Sequence, residues 1–155
     1  MEIRQRIAKS ILLLLMLVPL FACARTRPGG PLVSYEYELQ NYRSGYPTVS
    51  YQLVMSASGT QTLNYSKRDG VIHSLVLQED ALGKIDLLMK KYRLYRLKES
   101  YRPRMKILDG KHWSVRFSYQ SDSICSRGSN AYPRARLRSG IDAINAYLDS
   151  LIPTE

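Results

Sequence analysis

From Val33 onward the apolar residues of this 155-residue chain keep a period of two through four short runs, change to a spacing of three and four, and then repeat that order once. A period of two sends successive side chains to opposite faces of a strand, and a spacing of three and four lines one face of a helix. In the first run Val33, Tyr35, Tyr37 and Leu39 alternate with Ser34, Glu36 and Glu38, and Val49, Tyr51, Leu53, Met55 and Ala57 repeat the pattern. Ser58 and Gly59 turn the chain into a third strand over Thr62 to Ser66, and the Asp69-Gly70 turn signal precedes a fourth, Val71 to Leu77. Ala81, Leu82, Ile85, Leu88, Met89, Tyr92 and Tyr95 then predict an amphipathic helix starting near Glu79. Glu79 and Asp80 at its start, and Lys90 and Lys91 toward its end, suit the helix dipole.

The second cycle follows a basic connection, Arg96 to Lys106, and an Asp109-Gly110 hairpin turn. Trp113, Val115, Phe117 and Tyr119 share one face of the next strand, with His112, Ser114, Arg116 and Ser118 on the other; Ile124 to Gly128 is its partner. Leu137, Ile141, Ile144, Leu148 and Leu151 make a final helix, stopped by Pro153. The expected architecture is α+β, an antiparallel sheet of about six strands with two helices packed on one face. Most of the 12 tyrosines, against 2 Phe and 1 Trp, fall on the core side of these patterns, so Tyr takes the place of Phe with its hydroxyl at the core margin.

The segment before this body reads as an address. Arg4, Arg6 and Lys9 precede an apolar run from Ile11 to Ala24, then the polar, breaker-rich stretch Arg25 to Pro31. A bilayer-spanning helix needs about 20 apolar residues, and this run has 14 with Pro19 inside it. Its end, Leu20-Phe21-Ala22-Cys23, resembles the lipobox of bacterial lipoproteins, with Phe21 bulkier than the usual residue. The resemblance implies cleavage before Cys23, acylation of its thiol and new amino terminus, and stable attachment to a membrane by several acyl chains. The expected organisation is a lipoprotein signal peptide over residues 1–22, a tether over 23–32 and a single domain over 33–153, held outside the cytoplasm. Cys125 then remains a free thiol, read as a small buried hydrophobe.

Charge belongs to the folded body rather than to the signal. The whole chain carries 23 basic and 13 acidic residues, and removal of residues 1–22 leaves 20 and 12, or +8. Ten basic residues fall between Lys84 and Lys111, and Arg127, Arg134, Arg136 and Arg138 form a second group. With Tyr92, Tyr95, Tyr101 and Tyr132 interleaved, the pattern suits a cationic, aromatic surface. On an exported protein the expected partners are anionic lipid, lipopolysaccharide phosphates or an acidic glycan rather than nucleic acid.

A second resemblance rests on Lys98-Glu99-Ser100-Tyr101-Arg102-Pro103, Leu108-Asp109-Gly110 with Trp113, and Gly128-Ser129-Asn130-Ala131-Tyr132-Pro133. These segments are similar to a group of uncharacterised small bacterial lipoproteins and exported proteins, over about Tyr92 to Leu148; the Arg-rich Arg134 to Arg138 departs from it. The resemblance implies an envelope location and no particular activity.

Motifs for chemistry are few. His73 and His112 stand apart from any Cys or His at metal-ligand spacing, so no metal or cofactor is expected, and no phosphate loop or nucleophile elbow occurs. The expected function is a non-enzymatic binding or accessory module, with Cys23 as the lipid attachment and Tyr101, Trp113, Asn130 and Tyr132 as the candidate contact cluster. Two other readings stand beside it: an envelope hydrolase using Glu36, Glu99 or Asp109 beside His112, and an inhibitor or partner-binding protein.

Overall fold

A computed structural model describes residues 27–41, 47–67, 70–105 and 110–153. Cys23, with the rest of the signal-like segment, and Asp109 lie outside them. The fold is α+β, with a seven-stranded mixed sheet and two helices. Strands β1 (Leu32–Asn41), β2 (Val49–Met55), β3 (Gln61–Ser66) and β4 (His73–Leu77) precede helix α1 (Ala81–Tyr92). After a 3₁₀ turn at Leu94–Arg96 come β5 (Ser100–Tyr101), β6 (Lys111–Tyr119), β7 (Ser123–Ser129) and helix α2 (Ala135–Leu151). The sheet order is β4-β3-β2-β1-β6-β7-β5, so the two cycles read in the sequence join through β1 and β6.

One element was absent from the sequence-based expectation of six antiparallel strands. Ser100 and Tyr101, inside the stretch expected to be only a basic connection, pair in parallel with Arg127 and Gly128. Arg127 N–H donates to Glu99 O at 3.0 Å, and Ser126 Oγ donates to Lys98 O at 2.6 Å, fastening this edge. Two residues are too few to display a period. Two other differences have local causes. A bulge between Leu32 and Ser34 leaves Val33 opposite no residue of β6, so Leu32 and Tyr35 occupy the core face in place of an unbroken alternation from Val33. Helix α1 stops at Tyr92 because Arg93 takes a left-handed conformation at φ 58°, and Tyr95 falls in the following 3₁₀ turn.

The core lies between one sheet face and the helices. Tyr35, Leu53, Leu63, Val115 and Phe117 from the sheet are buried with Ile85, Met89, Ile144 and Leu148 from the helices. The three buried sheet tyrosines, Tyr35, Tyr51 and Tyr119, span this layer and end on polar helix side chains. Tyr35 donates to Asn145 Oδ1 at 2.8 Å, Tyr51 to Asp149 Oδ1 at 2.7 Å, and Tyr119 to Asp86 Oδ1 at 3.0 Å. Tyr147 of α2 similarly donates to Glu79 Oε2 at 3.1 Å. The hydroxyl is what distinguishes this core from one built on Phe, because it links the two layers by direction as well as by area.

Burial pushes Tyr37 up to about 12, and burial together with the hydrogen bond to Glu79 pushes Tyr147 up to about 12. Burial, then the carboxylate partners Asp149 and Asp86, raise Tyr51 and Tyr119 further still. An unfolded tyrosine ionises near pH 10, so the stabilisation carried by these neutral phenols is complete below about pH 10 and is lost as pH rises through the folded values. As the buried phenols Tyr35, Tyr51 and Tyr119 ionise in alkaline titration, a cooperative rise in tyrosinate absorbance at 295 nm is expected to coincide with loss of far-ultraviolet dichroism. Full tyrosinate absorbance with dichroism retained would contradict this.

The outer sheet face is polar. Ser74 Oγ donates to Asn64 Oδ1 at 2.7 Å, Asn64 Nδ2 donates to Gln52 Oε1 at 3.2 Å, and Glu36 sits 4.0 Å from Arg116. Those residues are cross-strand partners in one row over β4, β3, β2, β1 and β6. The stretch just before β1, expected to be part of a tether, is fastened to the domain. Gln120 N–H donates to Pro31 O at 3.3 Å, Ser121 Oγ donates to Gly29 O at 3.3 Å, and Pro28 is buried.

Candidate functional site

Helix α1 opens on Asp80, whose carboxylate accepts from Gly83 N–H and from Gln61 Nε2, both at 2.9 Å. The other end of Gln61 accepts from Leu82 N–H, so the helix start is fixed to β3. The far end, from Tyr92, opens on a groove of about 420 Å³ between α1 and the start of α2. Arg93, Arg96 and Lys98 line one side and Arg134 and Arg136 the other, with Tyr92, Tyr101, Tyr132 and Leu137 as walls. Among the described residues lining it, none is acidic.

Local backbone explains why these cations gather. The left-handed Arg93 ends α1, its N–H donating to Lys90 O at 3.2 Å, and throws the chain directly into the 3₁₀ turn that carries Arg96. Pro133 is buried one residue before the cap of α2, Arg134 stands at the cap position, and Arg136 lies in the first turn. Arg136 Nη2 reaches across to donate to Lys91 O at 3.0 Å, satisfying a carbonyl at the end of α1. Two basic groups some forty residues apart thereby share one depression.

The groove wall is an aromatic stack. Tyr101 packs on Trp113 with ring centroids 5.8 Å apart, and Trp113 stacks on Tyr132 at 6.1 Å and 11°. The Arg138 guanidinium lies 4.5 Å from the Tyr132 centroid on this stack. Trp113 is only 3% exposed and its Nε1 donates to Ala131 O at 2.8 Å, which the absence of a side chain at Gly128 permits. Asn130, at φ 50°, accepts the Lys111 N–H on Oδ1 at 2.9 Å, while its own N–H donates to Lys111 O at 2.9 Å.

Of the sequence-derived cluster, Tyr101, Trp113 and Tyr132 meet in one stack, while Asn130 closes the loop beside it. Tyr132, 38% exposed, and the half-buried Tyr101 line the groove; Trp113 supports them from behind. The cluster omitted Tyr92 and the five cations. Their signal was present in the two basic groups, but nothing in sequence order joined Arg93 to Arg136.

A second depression, about 480 Å³, lies on the polar sheet face and is lined by Glu36, Glu38 and Glu99 with Arg116, Arg127 and Cys125. Beside it His112 lines a smaller one of about 320 Å³, which shares Glu38 and Arg127. Three acids against two arginines make this trough nearly balanced in charge, in contrast to the groove. Among the described residues, no group of three or more His, Cys, Asp or Glu side chains is placed to hold a metal ion, and no helix is long and apolar enough to cross a membrane. No family model and no curated protein matches the chain in sequence.

Proposed function

We propose that the protein is a lipid-anchored accessory module of the bacterial cell envelope, whose groove at the end of α1 holds an anionic, phosphate-bearing head group. The observation that carries this reading is a depression with five cations, three tyrosines and no acid among its described lining residues. Guanidinium forks match phosphate oxygens in pairs, and tyrosine rings supply an apolar wall with polar tips for a sugar or glycerol backbone. Cys23 supplies the anchor, through its resemblance to a lipobox. Lipid and lipopolysaccharide phosphates share the chemistry; competition by soluble glycerol phosphate against intact anionic vesicles separates a head-group site from one that needs a bilayer.

Anchoring is checked by metabolic labelling with palmitate in a bacterial host. The unaltered chain is expected to take up label and to lose residues 1–22, whereas Cys23→Ala takes up none and migrates as the longer, uncleaved form. Equal labelling of the two would remove the anchor.

The trough holding Glu36 and Glu99 favours a second reading, hydrolysis of an envelope glycan or peptide by paired acids. Turnover of cell-wall fragments that disappears in Glu36→Gln and Glu99→Gln would establish it; no turnover by the unaltered domain would end it.

A further inference from the structure

The chain leading from Cys23 is short, and it is clasped to the domain almost at once. Arg27 Nη2 meets both carboxylate oxygens of Asp86 on α1, at 3.1 and 3.3 Å. The same carboxylate takes Lys90 Nζ at 2.8 Å and the Tyr119 hydroxyl at 3.0 Å. Asp86 is therefore a shared, mostly covered acceptor, its side chain 17% exposed, rather than one end of a loose surface pair. Pro28, Gly29 and Pro31 continue the attachment into β1, by burial and by the contacts with Ser121 and Gln120. Three residues lie between Cys23 and Arg27, so the two are four steps apart, and a fully extended chain covers at most about 3.6 Å per step, or roughly 14 Å.

That leash ends on the flank of a particular surface. Lys84, Leu87 and Lys91 follow one another at helical spacing on the exposed side of α1, with Lys90 and Arg93 beside them. Leu87 is 59% exposed in the middle of these cations. The apolar face of α1 is spent on the core, so what this side offers a membrane is lysine charge for anionic head groups and one exposed leucine for the interface. Electrostatic attraction to anionic lipid decays over about 8 Å at physiological salt, so a leash that reaches at most roughly 14 Å lets these charges come within that range and holds them within about two decay lengths of the surface.

We infer that the Arg27–Asp86 clasp lays α1 on the leaflet that carries the anchor, with Lys84, Leu87 and Lys91 toward anionic head groups, so that the cationic groove is supplied from the protein's own membrane. This inference rests on the reading of Cys23 as the lipid attachment, and it commits to an anionic lipid surface as the occupant of this face. Lys91 of this face holds its Nζ 5.5 Å from the ring centroid of Tyr92 in the groove wall, which brings the two surfaces together.

The test uses the full lipidated chain in vesicles of phosphatidylcholine with 30% phosphatidylglycerol, about three parts in ten chosen to approximate an anionic leaflet. A polarity-sensitive fluorophore is placed by Leu87→Cys or, as a reference, by Ile72→Cys, each with Cys125→Ser; Ile72 is exposed next to the opposite edge strand β4. Quenching by head-group spin-labelled lipid is expected to be at least threefold greater at position 87 than at 72. Arg27→Ala, which alters a partly exposed side chain and leaves the core intact, is expected to reduce that ratio toward one without releasing the protein from the vesicles. Equal quenching at the two positions in the unaltered, palmitate-labelled chain would overturn the orientation while leaving the anchor standing. Absence of palmitate on the chain would overturn the anchor and the orientation with it.

Discussion

Charge reversal at Arg96, Lys98 and Arg134 together is expected to weaken binding of the acyl-free domain, residues 25–155, to phosphatidylglycerol vesicles by on the order of 100-fold or more. All three are exposed and line the groove from both sides. A basic residue close to an anionic surface contributes about 1 kcal/mol, and each 1.4 kcal/mol is a factor of about ten, so loss of three cations alone accounts for roughly that factor. Glutamates in their place add repulsion. The variant should fold, since glutamate at position 134 stands at the start of α2, where a negative charge suits the helix dipole. Co-sedimentation at low ionic strength reads the effect, and both proteins should converge toward weak binding near 1 M salt as screening takes over. Unchanged affinity of the variant at low salt would show that the groove is a solvated surface and remove the proposed ligand class.

Trp113→Ala should have the largest effect on stability, about 3–5 kcal/mol, the range for truncating a buried aromatic ring. The indole is covered, it lies between Tyr101 and Tyr132, and its N–H reaches Ala131 O. Removing it leaves a void under both groove tyrosines and an unpaired carbonyl at the loop before α2. For a domain of this size the melting temperature should fall by roughly 10–20 °C. Trp113→Phe should recover most of that loss while still lacking the Ala131 hydrogen bond, which separates the filling of the site from its direction. A fall of less than about 3 °C in Trp113→Ala would mean that the stack is not part of the cooperative core.

Strand phase was legible in the chain wherever alternation ran for several residues without interruption. Trp113, Val115, Phe117 and Tyr119 lie on the buried face as their spacing predicts, and their β7 partners follow by register. Legibility failed at three places for separate physical reasons. Ser100 and Tyr101 owe their strand to backbone bonds from Arg127 and the Ser126 hydroxyl, partners far along the chain that leave no local pattern. Val33 is displaced by a bulge set by its neighbour β6. Arg93 ends α1 in a left-handed conformation that glycine usually signals, and an arginine there carries no such mark. The site shows the same division. Tyr101, Trp113 and Tyr132 stood out by residue type, whereas the groove exists because α1 and α2 run past each other, where Gly140 admits Tyr92 and Leu94 against the second helix. No property of either basic group alone specifies that approach.

The left-handed Arg93 also sets stability against recognition at a single position. Any residue with a Cβ is strained at φ 58°, and glycine there would relieve the strain by about 1 kcal/mol. An engineer optimising heat resistance would choose Arg93→Gly first, and would strip one of the five cations from the groove. Heat resistance and the charge of the groove are thereby opposed at one backbone position, and a single substitution trades one for the other.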